Sequence, residues 1–150
     1  MLKNKGFTLI EILIVIGIIA ILAAIVIVAI NPSKQFAQAR NTQRESDVNT
    51  ILNAIGQNLA DNKGIFTCAG FGTAIAATAN NIGTGVGLVN LGTCLVPTYI
   101  PQAIPFDPTN GAAGDTKYTV AVDTVGRFTV CAPGHLEASV PGSASYCLVR

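Results

Sequence analysis

Residues 7–30 begin Phe-Thr-Leu-Ile-Glu and continue as an aliphatic run to Ile30, with no charged residue after Glu11. A run of about 20 mainly apolar residues is long enough for an α-helix to span the hydrocarbon of a bilayer. Over 33–62 the pattern becomes polar and helical. There Val48, Ile51, Leu52, Ile55 and Leu59 recur with the spacing of one helix face. That face is expected to lie on a core. Only Phe36, Ala37 and Ala39 are apolar earlier in this helix, so its first part is expected to face solvent or neighbouring molecules. Lys63-Gly64 is a stop signal. Pro32 lacks an amide donor and clashes with a preceding turn, so one long helix with a bend is predicted. In the alternative, Asn31 and Pro32 end the first helix and Ser33 caps a second.

Strand patterns come late in the chain. Tyr118-Thr119-Val120-Ala121-Val122 alternates, as does Arg127-Phe128-Thr129-Val130-Cys131. Residues 123–126 read as the hairpin turn between them, and Tyr146-Cys147-Leu148-Val149 as a third short strand. Val120, Val122, Phe128 and Val130 are the candidates to cover the helical stripe. The class predicted is α+β: a long amino-terminal helix whose C-terminal half packs on a small antiparallel sheet. Residues 66–94 are rich in Gly, Ala, Thr and Asn and are expected to drape as loops, with a short helix at 73–80. Gly83-Thr84-Gly85-Val86-Gly87 lacks the preceding strand and following helix that a phosphate loop requires, and that reading is set aside.

Composition changes this picture in two ways. The aliphatic residues concentrate in the first thirty positions, so the remainder can bury only a small core, and small cores often need covalent staples. The formal net charge is +1, and no basic cluster argues for nucleic acid. Arg40 and Arg44 lie one turn apart, with Glu45 and Asp47 close behind, and read as a solvated helix face.

Glu11 decides how the amino-terminal segment is read. An acidic side chain costs about 2.5–3.5 kcal/mol at the centre of a membrane helix, less near an end. A secretory signal has a shorter apolar core and a small-x-small cleavage site, which this run lacks. A plain membrane anchor accounts for the length and for Lys3 and Lys5, but not for the acid. The residues Gly6-Phe7-Thr8-Leu9-Ile10-Glu11 resemble the processing site of type IV prepilins and type II secretion pseudopilins: a short basic leader ending in Gly6, then Phe7, an acid four residues on and a long aliphatic helix. The resemblance covers residues 1–30. It implies cleavage after Gly6 by a prepilin peptidase and methylation of the new amino terminus at Phe7. It also implies that Glu11 pairs with the amino terminus of a neighbouring subunit during assembly. Local pairing of Glu11 with its own Phe7 amine is the alternative. Attraction between such charges is strong only where water is excluded, and pairing removes the penalty of a lone carboxylate in lipid.

Cys68, Cys94, Cys131 and Cys147 are widely spaced, and His135 is the only histidine. Zinc sites favour closely spaced ligand pairs, so no metal is expected. Two disulfides suit an exported domain with a small core. Three connectivities are open; the reading favours Cys68 with Cys94 and Cys131 with Cys147. Closing loops of this size stabilises by about 3–4 kcal/mol each in the chain-entropy model. The second pairing has a counterpart in the carboxy-terminal disulfide loop of pilins. Ile104-Pro105-Phe106-Asp107-Pro108 resembles the Pro-x-Asp-Pro element of major pseudopilins and related pilins. Calcium, which related pseudopilins bind, would need Asp107, Asp115 and Asp123; their spacing matches no calcium loop, and they read as solvated turn acids. His135 has no sequence neighbour to form a catalytic pair. Glu45 and Asp47, two apart on a helix, point to different faces and read as surface charges.

These readings combine into one expectation. Residues 1–6 form a leader, 7–30 a transmembrane and polymerisation helix, and 31–150 an exported pilin-like domain that includes the helix 33–62. The function implied is that of a structural subunit of a type IV pilus filament, not an enzyme, with no cofactor and no metal. Implied partners are further copies of the chain in a helical filament, prepilin peptidase, the pilus assembly machinery and the inner membrane, with no nucleic acid. The precursor would be membrane-anchored and the product an extracellular filament. The alternatives are a pseudopilin of a type II secretion-like system, or a membrane-anchored binding domain that does not polymerise.

Overall fold

A computed structural model describes residues 6–68 and 75–150. Its chain divides into two compact units, Met1–Phe36 and Ala37–Arg150.

The first unit contains α1, Leu9–Ile30, and the opening turn of α2, Pro32–Asp61. The helix is not continuous. Asn31 lies between the two in the left-handed region (φ 49°, ψ 79°), a conformation that asparagine tolerates better than most residues. Pro32 then takes the first position of α2, where its missing N–H costs nothing. Asn31, not Ser33, supplies the cap. Its carbonyl accepts from Lys34 N at 3.1 Å and Gln35 N at 3.3 Å, and its Oδ1 from Lys34 N at 3.4 Å. The bend expected in one long helix is therefore a break between two.

In the second unit, α2 buries Ala37, Asn41, Arg44, Val48, Ile51, Ile55 and Asn58 along one face. The steps alternate between four and three residues, so this is a single stripe along the helix. Its carboxy-terminal half is apolar, as expected, and its first half is polar. The opposite face carries Thr42, Gln43, Ser46, Thr50 and Gln57, all exposed and none ionisable. The helix ends as Lys63-Gly64 predicts. Both residues have positive φ, and Gly64 N donates to the Leu59 carbonyl at 2.8 Å.

The sheet is fully antiparallel in the order β1 (Asn80–Asn81), β2 (Thr119–Val122), β3 (Phe128–Ala132), β4 (Tyr146–Val149). The three late strands match their sequence patterns to within a residue. Strand β1 is additional. It also occupies the end of the helix expected at 73–80; 73 and 74 lie outside the described residues, and 75–80 are not helical. The hairpin between β2 and β3 closes through Asp123 N to the Arg127 carbonyl at 3.0 Å, with Gly126 at φ 86°. Val120 faces Val130 and Val122 faces Phe128 across the β2–β3 pair. Val120, Val130 and Ala132 are fully buried against the stripe of α2.

The glycine-rich middle contributes more core than expected. Ile82, Val89 and Leu91 are essentially inaccessible, together with Leu95 of the short helix α3 (Gly92–Leu95). Gly83 and Gly85 serve backbone approach. Their N–H groups donate to the carbonyls of Val89 at 3.0 Å and Gly114 at 2.9 Å. A Cβ on Gly83 would stand 2.4 Å from the Gly114 carbonyl oxygen.

Candidate functional site

The start of α1 is set by Thr8. Its backbone is extended (φ −84°, ψ 151°), and its Oγ1 accepts from Glu11 N at 3.3 Å. Glu11 reaches back in turn, its Oε2 accepting from Thr8 N at 3.5 Å. This is a reciprocal capping box, which satisfies amides that a helix start otherwise leaves without partners. It places the Glu11 carboxylate in the first turn, where the helix dipole favours negative charge. Gly6 and Phe7 lie outside the helix, and Phe7 is 78% exposed.

Beyond this cap, α1 buries none of its side chains, although its mean hydropathy reaches 3.5. A helix apolar on every side belongs in a hydrophobic surrounding. Among the described residues it is the one helix long and apolar enough to cross a membrane, by length and composition.

The second unit holds a polar centre that the sequence reading placed in solvent. Arg44, 2% exposed, donates from Nε to Asp107 Oδ2 at 2.6 Å and from Nη2 to Asp107 Oδ1 at 3.1 Å. Nη2 also reaches Thr109 Oγ1 at 2.8 Å. Nη1 reaches Asn41 Oδ1 at 2.9 Å and Glu137 Oε1 at 2.6 Å. The guanidinium has five N–H groups, and five contacts take them up. Arg40 clamps the same Glu137 with Nε to Oε1 at 2.8 Å and Nη2 to Oε2 at 2.9 Å. Hydrogen bonds from Arg40, then from Arg44, pull the Glu137 carboxyl down to about 2. Burial alone would raise Asp107, but bonds from Arg44 and from the Thr109 and Asn110 amides outweigh it and leave its pKa lowered. Burial alone would lower Arg44; its bonds to Asp107 and Glu137 outweigh this and hold it above the usual range.

Other polar side chains also pair across the fold. Asp47 is buried, accepting from Tyr118 Oη at 2.7 Å and Gln43 Nε2 at 2.7 Å, and is not a surface charge. Glu45 is partly exposed, but its Oε1 meets His135 Nε2 at 3.0 Å. His135, isolated in sequence, also contacts the Ala144 carbonyl through Nδ1 at 2.8 Å and stacks on Tyr146. Asp115 pairs with Lys117 and Asp123 with Arg127. The three aspartates thus do not converge, and among the described residues no cluster of potential ligands could hold a metal ion.

The cysteines form two disulfides, Cys68 with Cys94 and Cys131 with Cys147. Cys131 and Cys147 are register partners on neighbouring strands β3 and β4. They share the face opposite Val130 and Ala132, so this staple lies on the outer side of the sheet.

An exposed apolar helix behind a capped, extended amino-terminal segment, with a small disulfide-bonded antiparallel sheet packed on a second helix, is an α+β architecture of the pilin-like kind. The comparisons agree at the amino terminus. Residues 1–27 match the family model described as the prokaryotic N-terminal methylation motif. The chain therefore carries the prepilin-type leader of the type IV pilin and pseudopilin class. The match ends inside α1 and does not reach the second unit. No curated protein and no solved structure matches the chain.

Proposed function

We propose that this chain is a structural subunit of a type IV pilus filament. One observation carries the reading: a methylation motif over residues 1–27 extends through most of an uncovered apolar helix whose only charge is Glu11. In this reading a prepilin peptidase cleaves after Gly6 and the new amino terminus at Phe7 is methylated. Residues 7–30 hold the precursor in the inner membrane and then pack into the core of a helical filament. Glu11 leaves its own cap to pair with the Phe7 ammonium of a neighbouring copy. Residues 31–150 are the exported domain, and the assembly machinery is supplied by other proteins. The role is structural, and the finished product lies outside the cell.

The test is mass spectrometry of sheared extracellular fibres. A chain that begins at N-methylated Phe7 in those fibres is the expected result. An intact Gly6-Phe7 bond would overturn the reading and leave a membrane-anchored domain that does not polymerise. Glu11→Ala separates these cases again: a filament subunit stays in the membrane unassembled, whereas an anchored monomer is unaffected.

A pseudopilin of a type II secretion-like system is the second reading. It is favoured by the Pro105-Phe106-Asp107-Pro108 element, whose Asp107 is buried against Arg44. A processed chain found only in membranes, with no extracellular fibre, would support it.

A further inference from the structure

In an antiparallel pair of strands, opposed residues alternate. Some exchange both backbone bonds; the others exchange neither and turn their N–H and C=O away from the neighbour. The ladder between β3 and β4 fixes which residues do which. Phe128 N donates to the Arg150 carbonyl at 2.7 Å and Arg150 N to the Phe128 carbonyl at 2.9 Å, so this is a bonded pair. Along the register, Val130 with Leu148 and Ala132 with Tyr146 are then bonded pairs too. Thr129 with Val149 and Cys131 with Cys147 are the unbonded ones. The Cα atoms of Cys131 and Cys147 agree, standing 4.1 Å apart, near the ~4.5 Å of unbonded pairs and short of the ~5.5 Å of bonded ones. On β3, Thr129 and Cys131 direct these groups at β2. On β4, those of Cys147 and Val149 point outward, past the last strand of the sheet.

Among the described residues, no backbone bond from the rest of the fold meets them. The other edge of the sheet differs: there the outward Asn81 carbonyl of β1 accepts from Val89 N at 2.9 Å. Exposed edges are commonly blunted by a lysine, a proline or a bulge. Tyr146–Val149 holds no ionisable side chain and no proline, and its register with β3 is unbroken. Cys147 and Val149 are both exposed. An edge of this kind recognises extended backbone.

The edge is also complementary to itself. We propose that β4 pairs with β4 of a second copy of this chain, antiparallel, while both copies are anchored in the membrane. Turned about a two-fold axis at Leu148, Cys147 of each copy stands opposite Val149 of the other, and both outward residues exchange their bonds. Val149 then lies beside the Cys131–Cys147 disulfide of the other copy, and neither strand brings a charge to repel its mate. A contact about a two-fold axis closes on itself, so it makes a pair of precursors and not a growing filament. It needs neither cleavage nor assembly. An edge this short is weak in free solution, where association costs translational and rotational freedom. The helix α1, long and apolar enough to cross a membrane, confines the copies to one surface and raises their effective concentration.

The test is residue-resolved amide exchange on the full-length chain, alone in lipid vesicles, at two protein-to-lipid ratios about a hundredfold apart. The Cys147 and Val149 amides should exchange freely in the dilute vesicles. In the dense ones they should slow about tenfold, which corresponds to about nine chains in ten being paired. The Tyr146, Leu148 and Arg150 amides, already in the ladder, should not respond. Val149→Pro removes an outward donor and no ladder bond, a place on an edge strand that proline tolerates. In that variant the Cys147 amide should exchange freely at both densities. Val149→Thr keeps the donor and should behave as the unsubstituted chain.

Cys147 and Val149 amides that exchange at one rate at both densities overturn the proposal. Density-dependent slowing of the Cys147 amide in Val149→Pro, with its ladder amides still protected, also overturns it, since something other than the strand pairing would then cover the edge. Should proline loosen the ladder, the two densities compared in the unsubstituted chain and in Val149→Thr decide the matter.

Discussion

Arg44 and Asp107, 63 positions apart in sequence, meet in a two-pronged ion pair in which neither side chain is more than 2% exposed. The contact joins the polar half of the α2 stripe to the loop that leads toward β2. Breaking a buried pair on one side leaves an uncompensated charge, which costs about 3–5 kcal/mol. Asp107→Ala and Arg44→Ala should each destabilise the second unit by roughly that amount. Arg44→Met with Asp107→Leu should cost less than either single change, because no charge is then stranded. Denaturant titration of the four full-length chains in detergent measures this. Additive losses in the double variant would refute the pairing as an energetic unit.

Acid should weaken the same region. Glu137 has a folded-state pKa of about 2, against an ordinary value of 4.5. A depressed carboxyl contributes stability that is fully present above its unfolded pKa and lost as pH falls toward the folded one. Stability should therefore decline between about pH 4.5 and pH 2, with the lowered Asp107 adding to the slope. Glu137→Gln should be less stable near neutrality and show a shallower acid decline. An unchanged slope in that variant would place the acid sensitivity elsewhere.

Gly134 makes room for the pair. A Cβ there would come within 2.5 Å of Asp107 Oδ2 and 3.3 Å of Arg44 Nε. Gly134→Ala should cost about 1–3 kcal/mol, the usual range for forcing atoms into a filled site. Gly142→Ala is the comparison: its φ is +76° but open space surrounds it, so its cost is backbone strain alone. Thermal unfolding of both variants should show that only Gly134→Ala loses the acid dependence attributed to the network.

The two disulfides should contribute separately. The residues joined are 26 and 16 positions apart, and the chain-entropy model assigns loops of this size about 3–4 kcal/mol each. Cys131→Ala with Cys147→Ala should lower the unfolding midpoint without removing the sheet, because β3 and β4 keep their ladder. Circular dichroism with and without reductant measures both effects.

The parts of the fold legible in sequence are those where one apolar pattern decides the outcome. The run ending at Ile30 admits little but a membrane-length helix. Val48, Ile51, Leu52 and Ile55 declare their face, and the β2–β3 hairpin shows in its alternation. What was hidden depends on partners remote in the chain. The stripe continues backward through Arg44 and Asn41 with unbroken spacing, but polar residues there read as solvated until Asp107 and Glu137 are known to cover them. The periodicity was the available signal. Strand β1 consists of two asparagines with no preference for a sheet, and it exists because Val120 and Thr119 offer it an edge. The burial of Ile82, Val89 and Leu91 was obscured by the glycine, alanine and threonine around them.

The outward side of α2 carries Thr42, Gln43, Ser46, Thr50 and Gln57 without an ionisable group among them. Mobile ions screen interactions between charges and have little hold on neutral dipoles. Contacts made by those five side chains should therefore keep nearly the same strength in fresh water, brine and mild acid. Within α2 the buried ionisable side chains Arg44 and Asp47 lie on the inward side, so these five positions offer neutral amides and hydroxyls to whatever touches them.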